Sequence, residues 1–195
     1  MKKITLILAI AIGTAGIAEA QDQKMSSEQA AMMKKWEEYM TPGDVHSMLA
    51  KSNGEWTQEI TMWMQPGAPP TKNTGTSTNT MILGGRYQQS THKGTFDGMP
   101  FEGISTVGYD NAKKMVMSTW VDNMGTGIMY MEGKYDPSTK TVTSTGKTVD
   151  PMTGKDMGVR EVFTMTDDNH TMMTMYMTPM GGKEFKSMEI KATRK

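Results

Sequence analysis

The chain has no cysteine among its 195 residues, few aliphatic side chains and a formal net charge of zero. Without cysteine there is no disulfide, no lipidated N-terminal Cys and no thiol chemistry, so stability outside the cytoplasm has to come from packing alone. Acidic and basic side chains are interspersed without long runs of either sign, which gives no electrostatic basis for contact with nucleic acid or an anionic membrane. Long apolar runs are scarce as well. The one from Ile4 to Ile12 follows Lys2 and Lys3 and precedes Ala18-Glu19-Ala20, the pattern of a secretory signal peptide cleaved before Gln21. It falls short of the roughly 20 apolar residues that a membrane span takes. The expectation is an exported protein, periplasmic or secreted, with no integral membrane segment after cleavage.

What the chain has instead is methionine. From Gln21 onward it holds 23 Met against 19 Leu, Ile, Val and Phe together, so thioethers must build most of any core. Low aliphatic content signals disorder only when joined to high net charge, which is missing here, and the remaining length suits one folded domain. Many of the methionines alternate: Met62 and Met64, Met115 and Met117, Met129 and Met131, then Met173, Met175 and Met177. That spacing points side chains to one face of a β-strand.

Two helices are expected first. Met32, Met33, Trp36, Tyr39 and Met40 share one side at helical spacing, with Ser26 and Gln29 placed as a capping box. Thr41-Pro42 then restarts a short helix, with Thr41 as its N-cap, running to about Ala50. From Gly54 the period changes to two, and nine turn signals recur, from Pro66-Gly67 through Asp97-Gly98 and Asp136-Pro137 to Gly181-Gly182. Nine turns separate about ten strands, and no connection is long enough for a parallel crossover. An all-β, antiparallel up-and-down barrel follows, since closure removes the exposed edges of so large a sheet. The expected organisation is a signal peptide over 1–20, a helical segment over 21–45 and the barrel over 46–195. In the first strand Trp56, Ile60, Met62 and Met64 take the inward face; elsewhere the facing stays open, as between Met115 and Met117 on one side and Val116 and Trp120 on the other.

Gly54-Glu55-Trp56 after a short helix, with Arg194 near the end of the chain, resembles the Gly-x-Trp opening of lipocalin-type barrels. That likeness implies a late Arg lying across the Trp ring, where an indole face attracts a guanidinium. A fuller resemblance, to the bacterial domain-of-unknown-function family 1579, is carried by six motifs. They are Gly84-Gly85-Arg86, Gly108-Tyr109-Asp110, Trp120-Val121-Asp122, Met131-Glu132-Gly133, Asp150-Pro151-Met152-Thr153-Gly154-Lys155 and Lys183-Glu184-Phe185. The resemblance spans about His46 to Lys195 and implies a lipocalin-like barrel; it implies no activity. The first helix lies outside it, and its Met stripe suits a plug over a barrel end or packing on the outer wall.

The Met stripes admit three readings: packed core, lining of a pocket for apolar ligands, or a soft-metal site. A small apolar or amphipathic ligand in the barrel is the leading function. Met62, Met64, Met129, Met131, Met173, Met175 and Trp120 are its expected walls, and Arg86, Asp122 or Arg160 its polar contacts. An Arg160 pair with Asp122 or Glu161 would fix the polar end of a ligand; the other reading is that these charges close the barrel structurally or face water. The alternative from another class is thioether sequestration of Cu(I), sharpest at Met62-Trp63-Met64; a third is a structural or oxidant-buffering role through Met sulfoxide. Same-face methionines on a strand stand about 7 Å apart, so a shared ion needs a third ligand from a neighbouring strand. His46 and His92 are single histidines, each a hydrogen-bonded structural residue or an axial haem ligand, and His170 reads as a turn residue. No nucleophile motif, metalloprotease motif or phosphate-binding glycine loop is present, so no enzymatic activity, cofactor or oligomeric state follows from the sequence.

Overall fold

A computed structural model describes residues 26–195; the expected signal peptide lies outside the described residues. Ser26 accepts from the Gln29 amide at 3.2 Å, while the Gln29 side chain accepts from the Ser26 amide at 2.9 Å. This capping box satisfies two of the amides that a first turn leaves open and starts α1 (Ser27–Met40). The expected N-cap at Thr41 is corrected: its hydroxyl donates back to the Glu37 carbonyl at 2.6 Å, closing α1. The next helix, α2 (Asp44–Lys51), begins after Gly43, whose amide donates to His46 Nδ1 at 3.0 Å. His46 is thus a buried structural histidine, its pKa lowered mainly by burial.

Ten strands follow: β1 (Gly54–Met62), β2 (Thr71–Ile82), β3 (Tyr87–Phe96), β4 (Met99–Asp110), β5 (Met115–Asp122), β6 (Met129–Asp136), β7 (Thr141–Val149), β8 (Asp156–Met165), β9 (His170–Thr178) and β10 (Phe185–Arg194). Each pairs antiparallel with its sequence neighbours, and β10 returns to β1, closing the barrel. The nine turn clusters read from the sequence all fall at the connections between these strands. The connections at the end away from α2 include the longer ones, such as 63–70 and 123–128.

The plug at the barrel's base is α2, not α1. Met48 and Leu49 of α2 are buried against Val116, Val142 and Met165, with Tyr109, Tyr135 and Phe163 packed around them. No residue of α1 is buried, and Met32, Met33 and Trp36 are exposed. Its C-terminal turn is held by Asn111, whose amide donates to the carbonyls of Glu38, Tyr39 and Thr41.

At the C-terminal end of α2 the barrel supplies donors to the carbonyls that the helix and the two residues after it present. Gln88 donates to the Leu49 carbonyl at 2.6 Å, and Arg194 donates to the carbonyls of Lys51 and Asn53. The Ser52 carbonyl accepts from both Trp56 Nε1 and Asn79, each at 2.9 Å. Trp56 is only 2% exposed, and the Arg194 guanidinium sits 4.4 Å from its ring centroid, as the Gly-x-Trp likeness implies. Gly54 opens β1 with φ 117°, and a Cβ there would come within 3.1 Å of Arg194 Nη1, so the triplet needs its glycine on both counts.

Replacing Arg194 with Ala removes a ring contact and the donor to three carbonyls, those of Lys51, Asn53 and Asp168. Urea unfolding is expected to show a loss of about 2–4 kcal/mol, with Arg194→Lys recovering less than half, because an ammonium cannot stack and fork at once. Full rescue by Lys would show that charge alone is what counts there.

Candidate functional site: the barrel lumen

Which side chains enter the lumen is decided by the ladder, since facing alternates along every strand and is shared across each paired row. Trp56 and Gln58 face inward on β1, which carries Ser77 on β2, Ser90 and His92 on β3, and Ser105 on β4 to the same face. Continuing round the wall, Ser118 on β5, Met131 on β6, Ser144 on β7 and Glu161 on β8 also point in. A barrel widens with strand number, and eight strands already give an interior that side chains just fill. Here ten strands carry serine at many inward positions, with glycine at Gly75, Gly94, Gly103, Gly133 and Gly146. Such residues supply little side-chain volume toward that width. Inward-facing Ser105, Ser118, Phe163, Met173 and Ile190 accordingly remain only half-buried although they sit within the strands.

The apolar part of this wall is thioether. Met131 and Met175, both buried, pack with Val159, Met129, Met173, Met177 and Met188 into one cluster on β6, β8, β9 and β10. Four of the expected wall residues, Met129, Met131, Met173 and Met175, are thereby brought together. Met62 joins them through the ladder, because Met175 pairs with Met188 and Met188 pairs with Met62 across three adjacent strands. Val116 and Trp120, rather than Met115 and Met117, take the inward face of β5.

Trp120 and Asp122 come together toward the end opposite α2. The Trp120 indole donates to Asp122 Oδ2 at 2.7 Å, and Asp122 Oδ1 accepts from the Met124 amide at 2.9 Å. His92 meets the indole edge-on at 5.1 Å between centroids, and Phe101 stacks on it at 6.3 Å. The ring lies over Gly103, where a Cβ would come within 2.5 Å of it, so only glycine leaves the indole this place. Gln58 Nε2 lies 3.5 Å from His92 Nδ1.

Three expected site residues stand elsewhere. Met64 falls beyond the end of β1 and is 68% exposed, because the alternation that would turn it inward stops with the strand at Met62. Arg86 lies in the β2–β3 turn and donates to the Leu83 carbonyl at 3.2 Å. Arg160 faces outward: its guanidinium grips Glu184 through two bonds of 2.9 and 2.6 Å and covers the Tyr176 ring at 3.9 Å. Alternation cannot turn both Arg160 and Glu161 inward, and Val159 and Phe163 flanking Glu161 two residues away on its own face decide for the glutamate. That i±2 apolar setting was the signal available in the sequence for the lumenal carboxyl. His170 is an exposed residue bonded to Asp167.

Glu161 is therefore an acidic group of the lumen, and unlike Asp122 it is not bonded to a neighbour. Glu161 is half-buried on the inward face of β8, beside Ser144 and Met175. Among the described residues it has no ion-pair or hydrogen-bond partner, and burial alone pushes its carboxyl up to about 7. Burial also pulls the His92 imidazole down to about 4. The outer wall holds two open depressions, one of about 320 Å3 over Gly103 between Thr91, Ile104 and Val121, and one of about 430 Å3 beside Tyr135 and Pro137.

The two lumenal shifts act on stability with opposite sign. Between its ordinary 4.5 and about 7, Glu161 keeps its proton only when folded, so its contribution falls as pH rises through that window. Between its ordinary 6.5 and about 4, His92 is protonated only when unfolded, so its contribution falls as pH drops. Where the windows overlap the two offset. Glu161→Gln should expose a loss of stability toward acid, and His92→Gln a loss toward neutral pH. Each amounts to at most about 3 kcal/mol at roughly 1.4 kcal/mol per pH unit. Urea midpoints across pH 4.5 to 7 check the crossing; parallel profiles for the two variants would refute it.

The crystal structure of Rv2717c from M. tuberculosis aligns with this chain at a TM-score of 0.61 and 12% identity, over 80% of this chain and 99% of that one. At that identity the likeness is one of fold. A redesigned β-barrel aligns at 14% identity with a TM-score of 0.40, over 77% of this chain and 94% of its own. No curated protein sequence matches the chain. Residues 41–194, which take in α2 and all ten strands, match the family described as protein of unknown function DUF1579, and the chain belongs to that family.

Proposed function

We propose that this is an exported, non-catalytic binding protein that holds a small apolar or amphipathic molecule in the barrel lumen. The observation that supports this reading is the set of serines and glycines facing into a ten-stranded barrel, with half-buried methionine and aromatic side chains beside them. Met129, Met173, Met177 and Met188 supply a wall that is soft and adaptable, suited to apolar partners of varied shape. Trp120 and Phe101 add flat apolar surface toward the mouth, and Asp122, already bonded to Trp120, holds that indole in place. Export rests on the Lys2 to Ala20 pattern in the sequence. Nile red, an uncharged dye that brightens in apolar surroundings, is expected to bind the purified protein. Ser118→Leu or Ser105→Leu, which fill half-buried inward positions, should abolish the signal while the β-sheet circular dichroism persists. Bound dye left undisturbed by both fillings would place binding outside the lumen.

A second reading is favoured by one feature of the ladder. Met62, Met188 and Met175 stand opposite one another on three adjacent strands, the third thioether that a Met-x-Met pair alone lacks. Thioethers prefer Cu(I), and among the described residues no group of three or more His, Asp or Glu offers a harder site. Cu(I) titrated against a competing chelator should then bind at one equivalent and weaken at least tenfold in Met188→Leu; no competition at micromolar metal removes this reading.

A further inference from the structure

Glu161 lies at the middle of β8, paired with Ser144 on one side and Met175 on the other, where the serine side of the lumen meets the thioether side. A carboxyl in such a place is a standing cost to the fold unless something answers it, because a buried charge needs a counter-charge and a buried polar group needs a partner. The described residues supply neither. The inward side chains on the two flanking strands, Val142 and Ser144 on β7 and Met173, Met175 and Met177 on β9, carry no charge. Of the other inward titratable groups, Asp122 is bonded to Trp120, His92 lies against that same indole, and Tyr109 and Tyr135 are packed in the base. Arg194, the inward cation, spends its guanidinium on the carbonyls of Lys51, Asn53 and Asp168. Glu161 takes part in none of the ion pairs among the described residues, while Arg160, next to it in sequence, is committed to Glu184 on the outer wall.

We propose that the Glu161 carboxyl is the recognition group of the lumen and that its ligand is an amphipathic cation, a protonated amine carried on an apolar body. The proposal rests on the lumenal reading above and specifies its chemistry. On binding, the Glu161 proton leaves to solvent, and the ammonium becomes the counter-charge that the barrel lacks. The surroundings suit both parts of such a molecule: thioethers and the inward Phe163 ring are polarizable and tolerate a cation at close range, and the Met wall takes the chain. Near neutral pH this carboxyl is half ionised, so an incoming cation has little proton affinity to overcome. An anionic ligand meets the opposite: ionised Glu161 repels it, and no free inward cation receives it.

The test uses three ten-carbon probes that differ only in the head group, decylamine, 1-decanol and decanoate, each displacing Nile red from the purified protein at pH 6 and pH 8. Decylamine stays protonated at both, and His92, whose pKa of about 4 lies below the range, stays neutral at both. Decylamine is expected to bind more tightly than decanol, by a margin that grows about tenfold from pH 6 to pH 8 as Glu161 ionises. Glu161→Gln should remove both the margin and its pH dependence while leaving decanol affinity unchanged, which a variant that merely disturbed the fold would not do. Equal affinity for the three probes, or a preference for decanoate, overturns the cation assignment and leaves lumenal binding standing. If neither dye nor probe binds the native protein, both readings fall together.

Discussion

The fold depends on burying the C-terminal end of α2 in the barrel base without leaving its carbonyls unpaired. Leu49, Lys51, Ser52 and Asn53 all present carbonyls there, and they are met by Gln88, Arg194, Trp56 and Asn79 from four different strands. An unmet buried carbonyl costs about 1–3 kcal/mol, so a mismatch at several of them would offset the burial of Met48 and Leu49. Arg194 matters twice over. It belongs to the last strand and stacks on the tryptophan of the first, so the contact that pairs the helix end also sits at the seam where β10 meets β1.

With one end sealed in this way, the rest of the interior is free to be unlike a core. Apolar packing divides into a base cluster around Met48 and Leu49 and a methionine cluster around Met131 and Met175. Between and above them stand serine, glycine and three titratable side chains, His92, Asp122 and Glu161. A wall of branched aliphatics would order such an interior more firmly; methionine, unbranched and polarizable, keeps the surface apolar while allowing it to reshape. The hydrogen-bonded ladder supplies the order instead, since every strand is paired on both sides and the closed sheet has no edge to fray.

Much of this architecture was legible in the chain. The change of period at Gly54, the nine turn clusters and the inward face of Trp56, Ile60 and Met62 could all be read, because turn chemistry and alternation are local properties of a few residues. Gly54-Glu55-Trp56 and Arg194 announced their stacking through likeness to other barrels. Facing on strands that are apolar on both sides was not legible: Met117 and Trp120 present comparable claims until register assigns one to the lumen. Met64 shows a different limit, since an alternating pattern can outrun the strand that gives it meaning.

The sequence by itself determined the number and order of the strands, their antiparallel pairing and the reliance on methionine for apolar volume, all of which follow from local spacing and composition. Only the tertiary structure decided what the methionines surround. Closing ten strands sets a width, and register sends serines, glycines and Glu161 into it while turning Arg160 out to Glu184. Whether a Met stripe is core or lining depends on what stands opposite it across the barrel, and residues far apart in the chain meet there only when the sheet closes.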